Sequence, residues 1–333
     1  MAQTNIKTFI RILICGLSMG TLSIQATSLD ATLLHLQKKV NFYKALTAQL
    51  SHFKSKKWLL DVAYLHSNYK FSSDNGSNFN HYNGDTNVFT ATATRLFAHD
   101  WAFSWLYQNA QVDTKANVRL AGTTTNSDAD LSANSLGINL KKTWLGTYYL
   151  EGFGQFGTTS SSLNVSLPTT QGSTRVDGDT YLLGSSAGLV YPFHSKWALN
   201  AMMSLFYFNS RQGSYSITYD NAVFAPQGTY QVGSLNLTQL VSLTYKVTRY
   251  FRPFANFGLI EVLSNNENRS TKDSLLPVTS QVPEFLLNNF GYNVGGGINA
   301  NYKMLLATAG YSYAQRGSEY HSNSFYASLA VAI

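Results

Sequence analysis

The sequence predicts an all-β fold, a 12-stranded antiparallel up-and-down transmembrane β-barrel preceded by a short N-terminal α-helix. Three observations predict it. Period-two alternation of side chains runs from residue 57 to the end of the 333-residue chain. Short and long connections alternate along that stretch. Aromatic residues gather where the strands meet the short connections. Composition agrees, because charged residues are only 12% of the chain and aromatics 14%. A soluble domain usually carries about twice that share of charge.

Residues 1–26 read as a secretory signal peptide. MAQTNIKTFIR carries two positive charges, ILICGLSMGTLSI is apolar, and Ile24-Gln25-Ala26 offers a cleavage point. The apolar run is too short and too rich in Gly and Ser for a membrane span. Cys15, the one cysteine, lies inside it, so the processed chain is expected to hold no disulfide. Lipid attachment at Cys15 is disfavoured by the bulky Ile14 before it.

Residues 27–56 form the expected N-terminal amphipathic helix. Leu29, Leu33, Leu36, Val40, Tyr43, Thr47 and Leu50 follow alternating steps of four and three, a heptad stripe. Ser28 can cap it, and Asp30 sits in its first turn. Such a stripe packs on its own chain, forms an oligomerising coiled coil over 28–54, or enters a barrel as a plug.

Residues 57–333 form the expected barrel. The strand candidates are 57–71, 86–98, 101–120, 131–143, 147–160, 179–191, 197–219, 232–247, 252–264, 289–303, 305–315 and 318–333. In the fourth, Leu136, Ile138 and Leu140 oppose Ser135, Gly137, Asn139 and Lys141. In the tenth, Tyr292, Val294, Ile298 and Tyr302 oppose Asn293, Gly295, Gly297, Asn299 and Asn301. Short connections are expected near Ala98–Asp100, Trp144–Gly146, Pro192–Lys196, Thr248–Phe251 and Met304. Long polar loops are expected at 72–85, 121–130, 161–178, 220–231 and 265–288. Short turns at one end and long loops at the other describe an outer-membrane barrel.

An aromatic girdle marks the short-turn end: Trp58, Trp101, Trp144, Trp197, Tyr191, Tyr245 and Tyr302. A soluble β-sandwich would also alternate, but it has no reason to sort aromatics by strand end. Its exposed face would also carry more charge than the Gly, Ser, Asn and Thr seen here.

The net charge of +7 does not mark a nucleic-acid binder. Of 24 Lys/Arg, seven precede residue 57, as does one of 17 Asp/Glu, which leaves 17 against 16 in the barrel. A nucleic-acid protein shows its basic face on the main domain.

The end of the chain, NVGGGINANYKMLLATAGYSYAQRGSEYHSNSFYASLAVAI, resembles the end of the translocator barrel of autotransporters. The resemblance lies in a Gly-rich strand, a turn, a G-Y-x-Y strand and a final alternating strand. It implies a twelve-stranded barrel with a helix before the first strand. It also implies assembly by the barrel-assembly machinery through the last strand. There Phe325, Leu329, Val331 and Ile333 share the lipid-facing row, with Ile333 where members of that family carry Phe or Trp. Only about 30 residues separate the signal from the barrel, so no substantial passenger domain is expected.

No catalytic constellation stands out. His66-Ser67, His194-Ser195 and His321-Ser322 are adjacent pairs, which point to opposite faces of a strand. Asp74, His81, Asp85, His99 and Asp100 are scattered, so no metal or cofactor is expected. The candidate lumen-lining residues are Asp61, Arg95, Lys141, Glu151, Asn293, Asn299 and Arg316. Charges inside a barrel either pair to fill it or line an ion-selective pore.

The expected function is therefore that of a non-enzymatic outer-membrane barrel of a Gram-negative bacterium. The leading reading is porin-like passage of small polar solutes. The alternative is an autotransporter-like barrel without a passenger, with a structural, adhesive or assembly role. Expected partners are outer-membrane lipid and lipopolysaccharide, the assembly machinery and a second copy through residues 28–54. Nucleic acid is not among them.

Overall fold

The computed structural model describes residues 58–75, 78–120, 123–166, 171–213, 215–219, 222–227, 229–269 and 289–333. The expected signal peptide at 1–26 and helix at 27–56 lie outside the described residues. The strands are β1 (Trp58–Asn75), β2 (Asn78–Leu96), β3 (Trp101–Leu120), β4 (Thr123–Trp144), β5 (Tyr148–Ser166), β6 (Gln171–Tyr191) and β7 (Trp197–Gln212). They continue with β8 (Tyr215–Tyr219), β9 (Ala222–Gln227), β10 (Tyr230–Tyr245), β11 (Phe251–Arg269), β12 (Phe290–Tyr302), β13 (Leu305–Arg316) and β14 (Tyr320–Ala332).

Twelve of these strands form one closed wall. Each pairs antiparallel with its chain neighbour, β7 pairs with β10, and β1 closes on β14 from Leu59↔Ala332 to Phe71↔Tyr320. The closure holds to the final residue: Trp58 and Ile333 exchange backbone hydrogen bonds of 3.1 and 2.9 Å. Closure pairs β14 along its length and so leaves no sheet edge there to protect.

The expected strand at 197–219 is two strands. β7 stops at Gln212, and β8 with β9 forms a hairpin in the β7–β10 connection, with β8 paired to the far end of β6.

Most of the expected long loops are also strand. Asn75 pairs with Asn78, Leu120 with Thr123 and Ser166 with Gln171, so the first three hairpins run far beyond the bounds read from sequence. The reason is an inversion of polarity along each strand. On β3 the outward side chains are Trp101, Phe103, Trp105 and Tyr107, then Asn109, Gln111, Asp113, Lys115, Asn117 and Arg119. The inward ones change the other way: Ser104 lies deep in the barrel, while Val112, Ala116 and Val118 are buried further out. The period stays at two, but the apolar face moves from outside to inside. The outer switch from aromatic to polar marks the edge of the apolar belt, beyond which the strands stand in water. Trp197 and Tyr207 face outward at opposite edges on β7, ten residues apart. Ten residues span ~33 Å along a strand, or ~25 Å when the strand is tilted as in outer-membrane barrels.

The interior is packed. Tyr69, Phe71, Tyr82, Val112, Val118, Leu131, Leu163, Phe206, Phe208 and Ile260 form an apolar cluster in the outer half. Inward tyrosines lie flat across neighbouring glycines: a Cβ at Gly84 or Gly310 would overlap the rings of Tyr69 or Tyr326. In the membrane half, hydroxyls pair across strands, as in Ser67–Ser324 at 2.9 Å, Thr94–Ser104 at 2.9 Å and Ser186–Ser204 at 2.7 Å. These pairs satisfy buried hydroxyls within the wall.

The turns at the short end are tight. In the three-residue turn between Trp144 and Tyr148, Leu145 and Gly146 both have positive φ, 54° and 64°, as the central residues of a type I′ turn do. Thr147 N–H closes this turn onto Trp144 C=O at 3.0 Å.

Candidate functional site

The lumen and its two rims carry the functional groups. Asp61, Lys141, Glu151, Asn293, Asn299 and Arg316 are buried on the inner face of β1, β4, β5, β12 and β13. Lys141 on β4 lies directly opposite Glu151 on β5. Around that pair, Asn139 Nδ2 donates to Glu151 Oε1, and Lys141 Nζ sits 4.0 Å from the centroid of the Tyr149 ring. This polar knot lies on adjacent strands near the short-turn end. Asn299 Oδ1 accepts a 2.8 Å hydrogen bond from Thr308 Oγ1. Asp61, Asn293 and Arg316 are buried on the inner face of β1, β12 and β13.

Arg95 is a correction, because it is exposed on the outer face of β2. Its guanidinium stands 5.5 Å from the Trp58 ring centroid and 5.3 Å from that of Phe97. Strand parity decides this: Thr94 is buried, so Arg95 faces out. A long cation near a strand end can lie over rim aromatics and reach water, so burial inside is not its only stable place.

The rim at the short turns combines aromatics with cations. Trp101, Trp144, Trp197, Tyr191 and Tyr302 are exposed there, with Trp58 and Tyr245 partly so. Trp58 stacks on Trp105 at 5.8 Å, and Trp197 packs on Tyr245 at 4.6 Å. Lys142 lies over Trp101, Arg249 over Tyr250 and Lys303 over Tyr302. On β14, Phe325, Leu329 and Ile333 are exposed on the outer row, with Val331 in the same row and partly buried.

A second rim escaped the sequence reading. Outward tyrosines at the far edge of the apolar belt bond to amides on neighbouring strands. Tyr64 donates to Asn87 at 2.6 Å, Tyr107 to Asn134 at 3.0 Å and Tyr292 to Gln315 at 2.7 Å. Each hydroxyl meets the first polar row beyond the belt, as an interfacial tyrosine should. The signal was present as a Tyr or Phe followed on the same face by Asn, Gln or Asp.

Of the Ser/His pairs, His66 faces outward beside Asn87 while Ser67 faces inward. The Ser195 hydroxyl comes within 3.5 Å of His194 Nδ1, because the two sit in a turn where strand parity does not apply. Among the described residues no group of three or more His, Cys, Asp or Glu is placed to hold a metal ion.

The family model described as "Autotransporter beta-domain" matches residues 63–312, three quarters of the chain. The chain belongs to the autotransporter β-domain family. As a member of it, this barrel sits in the outer membrane of a Gram-negative bacterium, with its apolar belt against lipid. No curated protein sequence matches the chain. The fold is similar to the translocator domain of the autotransporter NalP from Neisseria meningitidis, at TM-score 0.64 and 14% identity over 93% of this chain and 98% of that one. It is also similar to the transport unit of the autotransporter AIDA-I from Escherichia coli, at TM-score 0.56 and 12% identity over 87% and 98%. The beta domain of the Bordetella autotransporter Brka aligns at TM-score 0.52 and 13% identity over 82% and 98%. With the family assigned, the short-turn rim is the periplasmic one and the long hairpins are extracellular.

Proposed function

We propose that this chain is a sealed, non-enzymatic autotransporter-type barrel, whose lumen holds its own segment 27–56 and whose extracellular hairpins are its working surface. The observation that carries this is the burial of the polar inner wall. Asn200 and Ser204 have no exposed surface, and Asn236, Ser242 and Ser322 have 1% each. Side chains lining a water-filled pore would be wetted. The apolar cluster in the outer half of the interior also opposes free passage of polar solutes.

The segment suits the role. A helix over 28–54 would be ~40 Å long, enough to thread the barrel from the periplasmic rim where Trp58 begins the wall. Its stripe of Leu and Val would meet the apolar cluster, and its lysines the polar half.

The porin-like reading rests on the Asn, Ser and Thr lining of the membrane half. Planar-bilayer conductance separates the two. The processed protein should show low conductance, and deletion of 27–56 should raise it by about an order of magnitude. Large steady conductance from the intact protein would favour the porin. No conductance from either form would leave the barrel sealed by its own wall and remove the segment's role.

A further inference from the structure

At the periplasmic mouth a cavity of about 440 Å³ opens between the β4–β5 turn, the end of β6 and the starts of β7 and β11. Lys196, Lys246, Arg252 and His194 line it beside Trp197, and its lining contains no carboxylate. We propose that this cavity is a binding site for a phosphate-class oxyanion.

Three features converge. First, the backbone sets two of the cationic residues side by side at the rim of the cavity: Lys246 N–H donates to Lys196 C=O at 2.7 Å, next to the Tyr245↔Trp197 pair. Like charges on adjacent strands repel unless something neutralises them. Second, Arg252 is the second residue of β11 and is partly buried on its inner side, between the exposed Phe251 and the buried Phe254. Its Nε has no accessible surface and no hydrogen-bond partner among the described residues. A guanidinium donor that is neither wetted nor bonded is costly, and an anion in the cavity that Arg252 lines would offset part of that cost by neutralising its charge. Third, the site brings a planar fork together with two flexible ammonium groups. That donor set matches a tetrahedral oxyanion of charge near −2 better than a single carboxylate or chloride. The opening faces the periplasm, so the phosphate comes from a free solute or from the headgroup of an anionic phospholipid.

The test uses the full processed chain in detergent micelles, with inorganic phosphate as the probe and sodium chloride held constant. Phosphorus-31 line broadening should saturate, and sulfate should compete at equal ionic strength where extra chloride does not. Arg252→Gln and Lys246→Gln should each weaken apparent affinity about tenfold or more, and Arg252→Lys should recover part of the loss. Arg249→Gln, whose cation lies over Tyr250 on the rim and is absent from the lining, should bind as the parent does. Heat-shifted gel migration confirms that each variant is folded. Nanodiscs then separate the sources. Displacement of the probe by phosphatidylglycerol but not phosphatidylcholine assigns the site to a lipid headgroup, and unchanged binding in both assigns it to a free solute. Either outcome keeps the oxyanion site. Broadening that never saturates, or that survives both Gln substitutions in folded protein, overturns it. These results do not depend on whether the lumen conducts.

Discussion

At the scale of single residues, strand register decides which charges meet. Asp113 on β3 lies opposite Asp85 on β2 and opposite Asp130 on β4, a row of three carboxylates on the outer face above the membrane. Partial burial, then the charge and hydrogen bond of Asp130, then the charge of Asp85, raise the Asp113 pKa above its ordinary 3.8. An acid whose pKa is raised by folding binds its proton more tightly when folded. The penalty is therefore complete above the folded pKa, shrinks as pH falls through it, and is gone below 3.8. Asp113→Asn should raise the thermal midpoint at pH 7 and lose that advantage near pH 3.5, followed by circular dichroism in detergent. An equal shift at both pH values would assign the effect to something other than charge. Such a row is invisible in sequence, where the three aspartates are 17 to 45 residues apart. Arg95 is a different case: parity with the buried Thr94, a property of its own strand, puts it outside over Trp58.

At the scale of elements, tight turns and ring-on-glycine contacts set the wall. Leu145 occupies a left-handed position that favours Asn, Asp or Gly, because a branched side chain there crowds the backbone. Leu145→Asn should stabilise the barrel by about 1 kcal/mol, read as a higher midpoint in guanidinium. The opposite sign is expected at Gly84 and Gly310, where the Tyr69 and Tyr326 rings occupy the space of a side chain. Gly84→Val and Gly310→Val should each cost ~1–3 kcal/mol through overpacking. Gly84→Val with Tyr69→Ala should recover part of that cost if ring overlap is the cause. The twelve wall strands and their short turns were legible in sequence, because alternation and turn residues are local. The outer halves of the hairpins were not. There Ala129 stands between Asp128 and Asp130, and Val176 between Arg175 and Asp177, which imitates a polar loop until the partner strand is in place.

At the scale of the whole molecule, two opposite solvents act on one wall. Along each strand the chain meets lipid first and water later, so its apolar side chains change faces part-way. The sequence showed the first regime and the periplasmic aromatics. It did not show the second, because reading apolar side chains as outward throughout holds only inside the membrane. The knot of Asn139, Lys141, Tyr149 and Glu151 was half legible, since Lys141 and Glu151 were singled out but only register makes them neighbours. The two-solvent account makes a depth-dependent prediction on β4. Ile138 is exposed on the outer face between the two rims, and Ser132 is exposed on the same face beyond the Tyr107–Asn134 contact. Both tolerate a long side chain sterically, so they differ chiefly in what surrounds them. Ile138→Arg should destabilise the barrel by ~2–4 kcal/mol in lipid vesicles, and Ser132→Arg by ~0–1 kcal/mol. Reversible unfolding in guanidinium with tryptophan fluorescence measures both. If the two cost the same, the lipid boundary does not lie where the tyrosine row places it. If Ser132→Arg is the costlier, the apolar belt has been set at the wrong end of the strands.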